Sequence, residues 1–299
     1  MQETIKRKPK RKGKKIPFAY YMMVVPIGIL FFIFHTIPFL RGVFYSFTDW
    51  SGYGTWKFVG LKNYLYMFGN SNITHAYWFT FKFALFATIL VNAIALAIAV
   101  GLNGKIKYQN FLKAIYFLPY MLGSLIVGFV FKFIFGNLLP SLGQTLHWGF
   151  MSSNILGTTH AWIGILIMTI WQGLAFNTLI YLAGLQSVDP EIYEAAALDG
   201  VNPWQKFMRL TFPLIAPFFT INLVLSVKGY LMVFDQIMAM TNGGPGNSTT
   251  SISVEIYTQG FQGSQFAIQS ANAVVLFIVV LTISLIQLRV LNKREERLG

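Results

Sequence analysis

Carboxylates that a partner's arginine could hold are concentrated in one polar stretch, DPEIYEAAALDGVNPWQKFMRLTFPLIAP (189–217), set between two long apolar runs. Glu191, Glu194 and Asp199 supply its negative charge, and Ala195 and Ala196 leave a low, smooth surface beside them. Such a knob can accept charge-assisted hydrogen bonds from a guanidinium, so the stretch reads as a docking surface. Groups suited to catalysis are scattered. The four histidines, His35, His75, His147 and His160, stand far apart, there is no cysteine, and no HExxH or nucleophile-elbow pattern occurs. A phosphate-binding loop is missing too, because Gly104 and Lys105 are followed by Ile106 and the upstream spacing is wrong. Thiolate chemistry and self-contained ATP chemistry are thereby excluded.

The elements that position this stretch follow from composition. Apolar residues make up 55% of the chain and charged residues 11%, against roughly 25% charged in a soluble domain. Apolar runs long enough to cross a bilayer, about 20 residues, lie at 17–40, 77–102, 111–135, 160–185, 212–234 and 271–291. Hydrocarbon offers backbone amides no partner, so each run must be helical or belong to a closed barrel. The runs are too long and too evenly apolar for barrel strands of about ten residues. The expected fold is an all-α integral membrane protein with six spanning helices and the polar insert (186–211) between the fourth and fifth. One membrane domain, 16–291, is expected between a basic tail at 1–15 and a short tail at 292–299. The first run exceeds a signal-peptide core and lacks a small-residue cleavage site, so it stays as a helix.

A net charge of +13 and the arm KRKPKRKGKK would also suit nucleic acid. Position argues otherwise. Most of the 23 lysines and arginines fall in the tails and the alternate loops, around 105–113 and 206–209, while 136–159 and 235–270 hold none. Positive residues stay inside, which puts both termini in the cytoplasm and leaves no role for nucleic acid. Lys82 and Lys132 are expected to snorkel from helix ends. Lys228, with Asp235 beyond it, lies deeper, and such charges either line a path or find a partner. Ala93, Ala97 and Gly101 form a small-residue face suited to helix packing.

Within the insert, Asp189 can cap free amides and Pro190 suits the first turn. A helix is expected over about 191–198, ended by Gly200 at positive φ, then a turn at Asn202 and Pro203 and a second short helix to Arg209. An amphipathic helix resting on lipid headgroups is the alternative, but Glu191, Glu194 and Asp199 would be repelled by an anionic leaflet.

The spacing of Glu194, Ala195, Ala196, Gly200, Leu210, Phe212 and Pro213 closely resembles the EAA signature, E-A-A-x3-G-x9-[IL]-x-[LF]-P, of membrane subunits of ABC importers. FVGLKNY (58–64) and TNGGPG (241–246) are similar to elements of sugar permeases of the maltose and glycerol-3-phosphate group. The resemblance implies a type I ABC importer fold in a bacterial or archaeal cell membrane. It also implies a second homologous permease, a cytoplasmic ATPase dimer that binds ATP and Mg²⁺ and receives the insert, and an extracytoplasmic sugar-binding protein. No cofactor and no metal belong to this chain itself. Glu194, Ala195, Ala196, Asp199, Gly200 and Pro213 become coupling residues. The family's sugar site maps onto Gln172, Gly173 and Phe176 on the fourth helix and onto Ser226, Gly229 and Tyr230 on the fifth, with Asn177 and Trp171 as the next candidates. Tyr230 and Val233 stand where the maltose permease has amides, which argues against maltose itself. Two other classes stay open: an importer of a non-sugar solute, and an ion-coupled secondary carrier, although no paired halves are visible.

Overall fold

Apolar side chains facing lipid leave the backbone to satisfy itself, and the chain does so by helix almost throughout. The computed structural model describes residues 18–104, 107–149 and 151–295, so the basic tail at 1–15 and the last four residues fall outside the described part. Among the described residues the extended pairing is one isolated bridge, Thr48 to Phe58. Helices α1 (Phe18–Phe31) and α2 (Ile37–Tyr45) form one apolar rod, Met22–Tyr45, with none of its most apolar window buried in this chain. An aromatic loop leads to α3 (Lys62–Gly69), where Asn63 donates to the Ser46 and Thr48 carbonyls at 2.8 and 2.7 Å. That pair of hydrogen bonds explains the asparagine of FVGLKNY as loop cement.

The core is the pairing of α4 (Ser71–Asn103) with α8 (Ala161–Gln186). Ala87, Val91, Ala95 and Ala99 repeat every four residues and are fully buried, so the backbones approach closely. The expected packing face is therefore corrected: Ala93, Ala97 and Gly101 lie on the opposite, exposed flank. Between these helices run α5 (Gln109–Met121), α6 (Ser124–Phe133) and α7 (Leu139–Thr145). The third span, expected as one helix over 111–135, is broken. Leu122 and Gly123 are extended, with ψ of 135° and 140°, and α6 then continues to Thr145 as the membrane-length piece. Pro119, which clashes with the carbonyl four residues back, and the unbranched Gly123 weaken the helix on both sides of this point.

After α9 (Pro190–Leu198), α10 (Pro203–Lys206) and α11 (Phe212–Leu214), the fifth span bends by 72° into α12 (Ala216–Leu231). Expected to reach 234, it ends at Leu231. Two short helices follow in the segment read as an outer loop, α13 (Asp235–Met240) and α14 (Ile252–Tyr257), before α15 (Phe266–Glu295). They are no loose loop: Ile237, Met240 and Val254 join Phe83, Ile165 and Met168 in the main apolar cluster. Counting the bent pair as one span, the described residues hold six helices long and apolar enough to cross a membrane.

Four π turns interrupt the described helices, and three of them, Phe32–Thr36, Ile134–Leu138 and Phe207–Thr211, end two residues before a proline: Pro38, Pro140 and Pro213. Proline brings no N–H and crowds the carbonyl four back. Widening the preceding turn by one residue removes that clash without ending the helix.

Candidate functional site

The break at Leu122 and Gly123 is the first wall of a cavity of about 530 Å³. Once α5 stops, the Leu122 carbonyl has no intrahelical donor, and Gln172 Nε2 on α8 donates to it at 3.1 Å. No described residue engages the Gln172 Oε1, which stays available. Tyr120, at the end of α5, stacks on Phe176 with centroids 5.3 Å apart and planes 20° apart. On the other side Tyr230 of α12 puts its hydroxyl over Gly173, so close that a Cβ there would stand 2.5 Å from it. The missing side chain at Gly173 is what leaves room for that hydroxyl. Ser124, Thr169, Asn177, Ser226 and Gln236 complete the polar lining beside Gly229, and none of the described lining side chains is charged. The Thr169 hydroxyl is buried without a partner among the described residues. Flat rings beside neutral donors and acceptors suit a ligand with apolar faces and a hydroxylated rim.

Behind this wall a buried polar network holds α4, α8 and α12 together. Asn92 Nδ2 donates to Ser226 Oγ at 3.1 Å, Ser226 Oγ donates to Asn177 Oδ1 at 3.0 Å, and the Tyr181 hydroxyl donates to Asn92 Oδ1 at 2.7 Å. Asn222 Nδ2 adds a bond to the Asn177 carbonyl at 3.0 Å. Asn177 and Ser226, read from the sequence as ligand contacts, line the cavity but commit these atoms to the network. Gln172, Gly173, Phe176, Gly229 and Tyr230 are brought together in the one lining. Trp171 is not, since it packs against Phe131 at 5.4 Å. Lys228 and Asp235 are exposed and stand outside the lining. Lys82 lies over the Trp162 ring at 4.1 Å, and Lys132 lines a separate cleft of about 350 Å³ beside Thr241 and Pro245.

Tyr120, Ser124, Gln236, Asn92 and Tyr181 have no motif to announce them. The one signal was Pro119 followed by Gly123 inside an apolar run, which marks a broken helix and hence freed backbone groups.

The insert folds as two short helices, α9 and α10. Asp189 Oδ1 accepts from the Glu191 amide at 3.0 Å, and Asn202 Oδ1 accepts from the Gln205 amide at 2.8 Å. Gly200 sits at φ +70° and the Val201 amide returns to the Ala196 carbonyl, closing the first helix. Lys206 Nζ, 4.5 Å above the Tyr193 ring, ties the two helices to each other. Glu194, Ala195, Asp199 and Gly200 are exposed, while Ala196 is only 6% exposed and faces inward. The smooth surface expected of both alanines therefore belongs to Ala195 alone. Its neighbours are Leu198, 90% exposed, and Trp204, 70% exposed, large apolar groups that a solvated helix would hide.

The insert is rooted in the helices that bear the cavity. Leu182 and Leu185 of α8 pack with Ile215, the bend residue before α12. A Cβ at Gly184 would stand 2.7 Å from the Phe218 ring.

This arrangement, a bundle with a two-helix polar insert at one end and a polar cavity between the same two helices, is that of a membrane transport subunit. The profile of the binding-protein-dependent transport system inner membrane component family matches residues 93–297, and the chain belongs to that family. It is 34% identical, over 96% of its own length and 98% of the other's, to the "Probable starch degradation products transport system permease protein" of Thermoanaerobacterium thermosulfurigenes. With the multiple sugar-binding transport system permease protein of Streptococcus mutans it shares 35% identity over 93% of this chain and 96% of that protein. In fold it is similar to a chain of a bacterial ABC transporter involved in the import of the acidic polysaccharide alginate, with a TM-score of 0.80 at 23% identity over 92% and 96% of the two chains. The chain is a multi-pass membrane transport component and not an enzyme.

Proposed function

We propose that this chain is one of two paired permeases of an ATP-driven importer for an uncharged sugar, delivered by an extracytoplasmic binding protein. The observation that carries this reading is the cavity between α8 and α12, whose lining offers amides, hydroxyls and stacked rings but no charge. Relatives named for starch degradation products and multiple sugars support it. A glycerol-3-phosphate permease of Escherichia coli is also related, at 29% identity, but a phosphate would need cationic donors that this lining lacks.

Gln172, Phe176 and Tyr230, with Tyr120, Ser124 and Gln236, would contact the sugar. Gly173, Asn177, Ser226 and Gly229 would shape and hold the wall. Glu194, Ala195, Leu198, Asp199 and Gly200 would dock into an ATPase dimer, which binds ATP and Mg²⁺. Closure of that dimer would move α9 and α10 as a rigid piece. Because Leu185 and Ile215 root the insert, α8 and α12 would tilt with it, and the cavity would open to the other side. The basic tail at 1–15, the insert and the tail at 292–299 would share the cytoplasmic side, as the distribution of Lys and Arg supports. The membrane would be that of a bacterium, as for the relatives named above.

Purification of the complex with its binding protein, followed by mass spectrometry of the bound ligand, tests this reading. A neutral mono- to oligosaccharide is expected, with uptake abolished by ATP depletion. An amino acid or anion in the binding protein would overturn the sugar. Uptake that survived ATP depletion and collapsed with the proton gradient would replace the importer by a secondary carrier.

A further inference from the structure

Ile221, Leu225 and Lys228 follow one another at intervals of four and three residues, a spacing that puts them on one flank of α12, and Met232 caps the end of that helix just beyond Lys228. All four are exposed, Ile221 and Met232 by about half. This is the seam spacing of helices that pack along their length, yet among the described residues no element covers it. The depth of the seam is fixed by its neighbours. Ser226 is bonded to Asn177 and Tyr230 lies over Gly173, and both partners sit near the middle of α8, which spans the 26 residues Ala161–Gln186. At about 1.5 Å per residue, Lys228 is then roughly 15–20 Å from either end of the span. The four-carbon stem of a lysine cannot bridge that distance to a headgroup. No described residue pairs with it either.

A lysine exposed at this depth cannot face hydrocarbon. We infer that the Ile221, Leu225, Lys228 and Met232 seam packs against a spanning helix of the second, non-identical permease, and that this helix presents an Asp or Glu at the level of Lys228. A second copy of this chain is the wrong occupant. Two-fold pairing on this seam sets the same patch against itself, bringing Lys228 against Lys228 in a low dielectric. The charge thus selects a different partner over self-association. Leu225 and Gly229, exposed on this flank, also line the cavity, so the partner's helix completes its wall. The inference rests on the proposed function only for the existence of a second permease.

The chain has no cysteine, so Leu225→Cys introduces a single thiol. Co-expressed with a cysteine scan along the second permease's spanning helices, it should form a heterodimeric cross-link on one helical face. The same variant expressed alone should give little homodimer. Lys228→Met should lower the co-purified second permease roughly three- to tenfold, the range for one interhelical polar contact. Lys228→Arg should retain it, and Lys228→Glu should be rescued by replacing the partner's carboxylate with lysine. Abundant homodimer through Leu225→Cys overturns the inference. So does Lys228→Met that assembles normally but transports poorly, since Lys228 would then serve the ligand, leaving the importer intact. Failure of the unaltered chain to assemble with any second permease would sink the importer reading as well.

Discussion

Gln172 on α8 and Leu122 at the end of α5 are joined by a 3.1 Å hydrogen bond from the side-chain amide to a main-chain carbonyl. The residue expected to touch sugar thus also stabilises the broken helix that forms one wall of the cavity. Leaving a carbonyl unsatisfied costs about 1–3 kcal/mol, so Gln172→Leu should reduce transport by roughly 5- to 150-fold through both binding and wall geometry. Uptake kinetics in proteoliposomes check this, with a larger loss than that of Gln172→Glu, which still has an acceptor for sugar hydroxyls.

At Gly173 the prediction concerns fit. A methyl group there meets the Tyr230 hydroxyl at 2.5 Å and Val91 at 3.3 Å. Gly173→Ala should destabilise the bundle by about 1–3 kcal/mol through overpacking and impair transport. Adding Tyr230→Phe removes the obstructing oxygen and should restore thermal stability more than transport, because the sugar loses a hydroxyl partner. Thermal unfolding in detergent and uptake assays separate the two effects.

The network behind the cavity should behave as a unit. Tyr181→Phe leaves Asn92 Oδ1 without its donor, and Asn92→Ala also removes the bond to Ser226. Each should lower stability by about 0.6–1.7 kcal/mol, as membrane hydrogen bonds do. The double variant should fall short of the sum, since both remove the same bond.

Coupling is tested at the insert. Gly200→Ala puts a Cβ at φ +70°, a strain of about 1–2 kcal/mol, and Asp189→Ala removes an N-cap worth about 0.5–2 kcal/mol. Glu194→Lys reverses the charge on the proposed docking face. All three should leave membrane insertion intact while reducing ligand-stimulated ATP hydrolysis of the complex, most severely for Glu194→Lys.

Glu255 on α14, outside the spanning segments, is nearly inaccessible, and burial raises its carboxyl above the usual value. The folded protein therefore holds this proton more tightly than the unfolded chain. Stability contributed by the neutral form is present below the unfolded pKa and declines as pH rises toward the folded one. Glu255→Gln should flatten that decline, giving a higher Tm at neutral pH and no gain at acid pH. Calorimetry across pH 4–8, roughly the range of carboxylate titration, reads the difference.

Much of this molecule was legible because one requirement dominates it: backbone amides in lipid must close on themselves, so apolar length announces a helix. The insert was equally legible, since Asp189, Pro190, Gly200 and Asn202 act on their own neighbours. Tertiary contacts were not. That Ala196 turns inward, that Ala95 and not Ala93 meets α8, and that Tyr120 and Gln236 reach the cavity depend on how separate helices cross. In a span that is apolar all round, no amphipathic face betrays the packed side.

The widened turn at Phe207–Thr211 has a bearing on how the family can vary. Each residue advances a helix by about 100°, and this turn holds one residue more than a regular α-turn. Deleting one residue there would swing Ser226 and Tyr230 away from Asn177 and Gly173, although every span would remain hydrophobic and inserted. Between Gly200 and Tyr230 the chain should therefore accept substitutions far more readily than changes in length.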